Sequence, residues 1–121
     1  MNTPVNFELA KLLKEKGYDI PSLKCYLEDS SVQISSGDEG DFEEYNHNQW
    51  DNYSAPTISE VVMWLYEKHN IWIYSFRHDF DKEFYWSIDT KNEDEFTSDD
   101  VFNSPTEAYE AAITYTLTKL I

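Results

Sequence analysis

The fold is decided by the stretch Ser54-Ala-Pro-Thr-Ile-Ser-Glu-Val-Val-Met-Trp-Leu-Tyr-Glu-Lys-His-Asn-Ile-Trp-Ile-Tyr-Ser-Phe76, which predicts a helix followed at once by a strand. Thr57 and Glu60 have the spacing of a capping box at a helix start. Asn70 follows the last turn, where a residue that tolerates the left-handed conformation is favoured. Residues 71–76 are mostly β-branched or aromatic, which favours a strand over a continued helix. The buried helix face is predicted by the spacing i, i+3, i+4, i+7 and i+11 of Ile58, Val61, Val62, Leu65 and His69.

Two further helices are predicted on either side of this stretch. Thr3-Pro4 provides a cap hydroxyl and a proline for a first helix that ends at Gly17. Ser104-Pro-Thr-Glu107 combines proline at the first helical position with capping-box spacing, so it predicts the start of a last helix. The buried face of that helix is predicted to comprise Tyr109, Ala112, Ile113, Thr116, Leu117 and Leu120.

The strands are predicted in two pairs. Residues 23–28 alternate as a half-buried strand does, and Asp29-Ser-Ser31 is a turn that returns the chain as a short strand at 32–34. Residues 71–76 and 83–89 form an antiparallel pair, whereas 94–103 is a polar loop. The prediction is therefore a single α+β domain over 1–121, with three helices packed on a roughly four-stranded antiparallel sheet in the order αββ-αββ-α. A long acidic loop occupies about 35–53.

Charge is the strongest compositional feature of the chain. The 121 residues include 24 Asp and Glu against 9 Lys and Arg, for a formal net charge of −15. Such a field repels nucleic-acid phosphates and anionic membranes, so we expect neither as a direct partner. Residues 25–67 contain no Lys or Arg, and a second acidic stretch runs from Glu93-Asp-Glu95 to Asp99-Asp100. The simplest explanation of these stretches is solvated loops that keep the protein soluble, and the alternative is a surface that attracts a basic protein partner or cations.

The sequence also indicates the compartment. No apolar signal region and no run long enough to span a membrane is found, and the single Cys25 has no internal disulfide partner. We expect a cytoplasmic protein, monomeric or homodimeric.

Three blocks of the chain resemble a known group of proteins. Phe7-Glu-Leu-Ala-Lys-Leu-Leu-Lys-Glu-Lys-Gly17, the run from Ser54 to Ile73, and Phe102-Asn-Ser-Pro-Thr-Glu-Ala-Tyr-Glu-Ala-Ala-Ile113 are similar to the shared blocks of small uncharacterised proteins. These are encoded by phages and prophage-like elements of gut Bacteroidetes. The group has no assigned activity, so the resemblance implies a context, a phage-derived accessory protein in a bacterial cytoplasm, and no residue role.

No catalytic constellation is recognised in the sequence. Glycine-rich phosphate loops, Gly-x-Ser-x-Gly elbows and His-Glu-x-x-His pairs are absent, and Cys25 is best interpreted as a buried structural thiol. Residues 38–44 resemble a calcium loop in composition but lack its register. We therefore predict no catalytic residue, no metal site and no cofactor.

Two classes of function remain. The first is a non-enzymatic accessory protein that binds a protein partner, through an acidic surface that mimics nucleic acid or through an aromatic sheet face. The second is a small metal-dependent hydrolase that uses the acidic loop and the histidines. The candidate partner-binding residues are the acids Asp38, Glu39, Asp41, Glu43 and Glu44 and the aromatics Tyr26, Trp72, Tyr74 and Tyr85.

Overall fold

The computed structural model describes residues 3–34, 48, 51–77, 83–92 and 94–121. Within these ranges lie three helices, α1 (Phe7–Glu15), α2 (Ile58–His69) and α3 (Pro105–Tyr115), and six strands, β1 (Lys24–Tyr26), β2 (Val32–Ile34), β3 (Tyr53–Ser54), β4 (Ile71–Arg77), β5 (Phe84–Thr90) and β6 (Glu95–Thr97). A π-helical turn, Thr116–Leu120, continues α3. The chain divides into two compact units, Pro4–Thr57 and Met1–Thr3 with Ile58–Ile121.

The unit Pro4–Thr57 consists of α1 and an antiparallel sheet in the order β2-β1-β3. The side chain of Asn6 caps α1 by accepting a hydrogen bond from the Leu9 amide at 2.8 Å. Gly17 ends the helix at φ +85°, a conformation that glycine adopts without steric cost. The predicted turn between β1 and β2 is confirmed, because Asp29 accepts hydrogen bonds from the amide and the hydroxyl of Ser31.

The second unit contains α2, α3 and an antiparallel sheet in the order β4-β5-β6. Asn70 takes φ +55° between α2 and β4, as the sequence predicts. Both helices pack on the sheet, α2 against β4 and α3 against β4 and β5. The core of this unit is formed by the apolar faces of these elements, with Ile58, Val61, Leu65, Ile73, Ile88, Ala112, Ile113 and Leu117 buried.

The start of α3 follows the predicted cap in part. The Ser104 hydroxyl accepts a hydrogen bond from the Glu107 amide at 3.2 Å, and Pro105 occupies the first turn. The Glu107 carboxylate accepts from the Asn103 amide at 3.1 Å. Cap and carboxylate together satisfy two amides that have no partner inside the helix.

The α+β class, the three helices and the antiparallel pairing are confirmed, but the single four-stranded sheet is wrong. The strands form two three-stranded sheets, with two strands that the sequence prediction missed. β3 lies at the end of the predicted acidic loop, and β6 lies in the predicted polar loop at 94–103. Both are two or three residues long, so their pairing with β1 and β5 defines them more than their composition does. The single-domain interpretation stays a prediction.

The predicted start of α1 at Thr3-Pro4 is also wrong. Pro4 forms an isolated antiparallel bridge with Thr57, and the amide of Val5 donates to the carbonyl of Pro56 at 2.9 Å. This pairing holds residues 4 and 5 extended, so the helix begins three residues beyond Pro4, after the Asn6 cap.

Candidate functional site

One face of the β4-β5-β6 sheet combines aromatic and acidic side chains. Successive strand residues point to opposite faces, and Ile71, Ile73, Trp86 and Ile88 lie buried on the helix-covered side. The opposite side, here called the outer face, carries three cross-strand rows. Its members are Trp72, Asp89 and Glu95 in the first row, Tyr74, Ser87 and Thr97 in the second, and Phe76 and Tyr85 in the third.

The aromatic side chains of the outer face are partly accessible and contact one another. Trp72 is 42% exposed, and its ring centroid lies 5.5 Å from that of Tyr66 on α2, edge to face. Phe76 and Tyr85 stack with their centroids 5.6 Å apart and an interplanar angle of 17°. These contacts leave Trp72, Phe76 and Tyr66 with large exposed apolar areas, as is typical of interaction surfaces.

The carboxylates of the outer face lie next to each other, and no Lys or Arg of the described residues pairs with them. Asp89 and Glu95 are direct cross-strand partners. Glu95 accepts a hydrogen bond from the buried Ser87 hydroxyl at 3.3 Å. Between described residues, an ion pair joins Lys11 to Glu8 at 3.7 Å, far in sequence from Asp89 and Glu95. Like charges directly opposite on neighbouring strands are destabilising, so a cationic partner would relieve their repulsion.

A cavity of about 430 Å³ lies beside β6, and we call it the β6 cavity. It arises because the segment after β6 separates from β5 between two positions at which their backbones are hydrogen-bonded. The Ser98 amide donates to the Trp86 carbonyl at 3.0 Å, and Phe102 and Phe84 exchange backbone hydrogen bonds of 2.9 Å. Residues 99–101 therefore oppose a single residue of β5, and the extra length loops out from the sheet.

The lining of the β6 cavity is aromatic and acidic. The Tyr115 ring of α3 lies 5.2 Å from the Trp86 ring and 5.8 Å from the Phe96 ring, centroid to centroid. Phe102 adds a fourth ring, and Asp99 and Asp100 add carboxylates, whereas the Glu95 carboxylate lies on the outer face with Ser87. No Lys or Arg is among the described residues that line this cavity, so its polar groups suit a cation.

The structure places the predicted aromatic candidates in two different settings. Trp72, Tyr74 and Tyr85 share the outer face, as their alternation predicts. Tyr26 belongs to the other sheet, where its hydroxyl donates to the Val5 carbonyl at 2.6 Å and its ring contacts Phe7. It therefore does not share a face with the other three. The acids Asp38, Glu39, Asp41, Glu43 and Glu44 lie outside the described residues.

The residues of the β6 cavity were not predicted from the sequence. The aromatic residues of the cavity come from three segments of the chain, so no local motif groups them. These are β5 with Trp86, β6 and the residues after it with Phe96 and Phe102, and α3 with Tyr115. A partial signal was present in the second acidic stretch, because Phe96 and Phe102 interleave with its carboxylates.

The described part of the chain contains no metal site for the alternative function, a metal-dependent hydrolase. Within residues 3–34, 48, 51–77, 83–92 and 94–121, no three His, Cys, Asp or Glu side chains are grouped to hold a metal ion. Cys25 is buried in β1, and desolvation raises the pKa of its thiol, which favours the unreactive protonated form. His47 and His78 lie outside these ranges.

No protein-family model, curated protein or solved structure matches this chain. In the described residues, every helix is too short or too polar to cross a bilayer.

Proposed function

We propose that this protein works by binding rather than by catalysis, and that the outer face binds a basic protein. The observation that carries the proposal is the row of Trp72, Asp89 and Glu95, in which an exposed aromatic ring adjoins two carboxylates that pair with no Lys or Arg of the described residues. Aromatic side chains at interfaces supply buried area, and the carboxylates select a partner of opposite charge.

The charge of the whole chain supports the same partner class. A net charge of −15 attracts basic proteins over several ångströms and accelerates their association. It repels nucleic acid, so direct binding to DNA or RNA is not part of the proposal. The resemblance to phage-encoded proteins adds the proposed setting, an accessory protein in a bacterial cytoplasm.

A sharper form of the proposal is mimicry of nucleic acid. In this form, the acids Asp38, Glu39, Asp41, Glu43 and Glu44 stand in for phosphates, and the partner is a nucleic-acid-binding protein. Duplex DNA would then compete with this protein for the same partner.

The proposal is tested by capturing partners from a bacterial lysate at low salt and remeasuring the affinity with each purified protein. We expect a basic partner whose affinity falls for Trp72→Ser and for Asp89→Asn/Glu95→Gln. The matched control is Asp19→Asn/Glu28→Gln, which removes the same charge from exposed sites of the other unit. The proposal is contradicted if no basic protein binds, or if the outer-face variants bind as tightly as the parent.

A further inference from the structure

We propose that the β6 cavity receives an arginine side chain, and that the basic partner supplies it. The assignment of the partner rests on the function proposed above, whereas the preference for a guanidinium group rests on the cavity itself. Two features carry it: an aromatic floor formed by Trp86, Phe96, Phe102 and Tyr115, and the carboxylates of Asp99 and Asp100 on the loop beside it.

The aromatic floor favours a weakly hydrated, planar cation. The faces of aromatic rings attract positive charge, most strongly at tryptophan. Trp86 is only 7% exposed and forms the base of the cavity, whereas Phe96, Phe102 and Tyr115 are partly exposed, so a cation would contact mainly these three rings. A guanidinium group loses its water more readily than an ammonium group does and stacks flat on a ring. The floor therefore favours arginine over lysine.

The carboxylates give the cavity a second reason to prefer a guanidinium group. Its five N–H donors form a rigid fork that matches carboxylates in bidentate pairs, whereas an ammonium group acts as a point charge. Asp99 and Asp100 are exposed and adjacent on the loop at 99–101 that borders the cavity. Two neighbouring carboxylates suit a ligand with donors along two edges.

The loop that carries the carboxylates is held at both ends. At one end, the Ser98 hydroxyl accepts from the Trp86 amide at 3.2 Å and donates to the Asp100 carbonyl at 3.0 Å. At the other end, Phe102 pairs with Phe84. Binding therefore orders little additional backbone, which reduces its entropic cost. The volume of about 430 Å³ lies within the range of roughly 300–1,000 Å³ that is typical of ligand pockets.

The test uses three small probes with the full chain: N-acetyl-arginine amide, N-acetyl-lysine amide and N-acetyl-citrulline amide. Citrulline keeps the shape of arginine and lacks its charge. NMR titrations follow the indole signal of Trp86 and the amides of residues 95–102. We expect saturable shifts with the arginine probe, affinity about threefold to thirtyfold lower with the lysine probe, and no saturation with the citrulline probe.

Two variants localise the effect. Asp99→Asn/Asp100→Asn should weaken the arginine probe about tenfold because it removes charge-assisted hydrogen bonds. The control Asp19→Asn/Glu28→Gln, with the same change in net charge, should bind like the parent. Tyr115→Leu keeps an apolar side chain and removes a π face, so it should also weaken the arginine probe.

The outcomes separate this inference from the function on which it rests. Equal binding of the citrulline probe, or unchanged binding by Asp99→Asn/Asp100→Asn, overturns the assignment of the cavity even if a basic protein binds the outer face. Arginine-specific binding in the cavity supports the assignment. If no basic protein then binds the chain, the partner is overturned and the cavity is a site for a free guanidinium compound.

Discussion

Trp72 and Asp89 are direct cross-strand partners on β4 and β5, on the sheet face opposite the helices. Glu95 on β6 continues the same row, so a half-exposed indole and two carboxylates lie side by side. Folding alone gains little from this arrangement, because it exposes apolar area and opposes like charges. A surface that is retained for binding would tolerate this loss of stability, because a partner covers the apolar area and neutralises the charges.

Neutralising Asp89 should stabilise the fold. Asp89→Asn removes the repulsion from Glu95, so we expect the free energy of unfolding to rise by about 0.2–1 kcal/mol. Urea denaturation measures this change against Glu67→Gln, an exposed acid on α2 that should leave stability within about 0.5 kcal/mol of the parent. A loss of stability in Asp89→Asn would mean that its carboxylate has a stabilising partner.

Truncating the core of the second unit should be costly. Leu65 is fully buried, so Leu65→Ala should lower the free energy of unfolding by about 2–5 kcal/mol through lost burial and the cavity left behind. Met63 lies on the same helix and is 44% exposed, so Met63→Ala should cost much less. Equal losses in chemical denaturation would contradict the assigned buried face of α2.

The cap of α3 should contribute less to the free energy of unfolding than the buried core does. Ser104→Ala removes the acceptor for the Glu107 amide and should cost about 1 kcal/mol. Ser104→Asp retains an acceptor at the same position and should remain close to the parent. Urea denaturation distinguishes the two variants, and a cost for Ser104→Ala above that of Leu65→Ala would contradict this ranking.

The thiol of Cys25 should produce an alkaline loss of stability. Burial raises its pKa above the ordinary value of a thiol, so the folded state holds the proton more tightly than the unfolded state does. This contribution is fully present below the pKa of the unfolded chain and is lost as pH rises through the folded pKa. Denaturation across that range should show the decline in the parent and a smaller one in Cys25→Ala.

The decline identifies Cys25 only if it differs between these two proteins. The same alkaline decline in both would assign it to other groups.

The helices and the β4-β5 pair were predictable because their signals are local. Ser104-Pro105 and the apolar spacing from Ile58 to Leu65 act within a few turns of chain. β3, β6 and the true start of α1 were not, because each depends on a distant partner. Pro4 meets Thr57, and Glu95–Thr97 pairs with β5.

The candidate sites divide in the same way. Alternation along β4 and β5 was enough to place Trp72, Tyr74 and Tyr85 on one face, since a strand has a period of two. The β6 cavity required the contact of Trp86 with Tyr115, which no spacing in the sequence encodes. The acidic surface at residues 38–44 stays a prediction.

The most direct test of the central claim is the association rate constant of the captured basic partner, measured against salt concentration for the parent and for Asp89→Asn/Glu95→Gln. Exposed charges are screened beyond about 8 Å at physiological ionic strength, so steering by these carboxylates must weaken as salt rises. We predict slower association of the double variant at low salt, with the two rates converging at high salt. Equal rates and equal salt dependence for the two proteins would contradict the claim that the outer face binds the partner through its carboxylates.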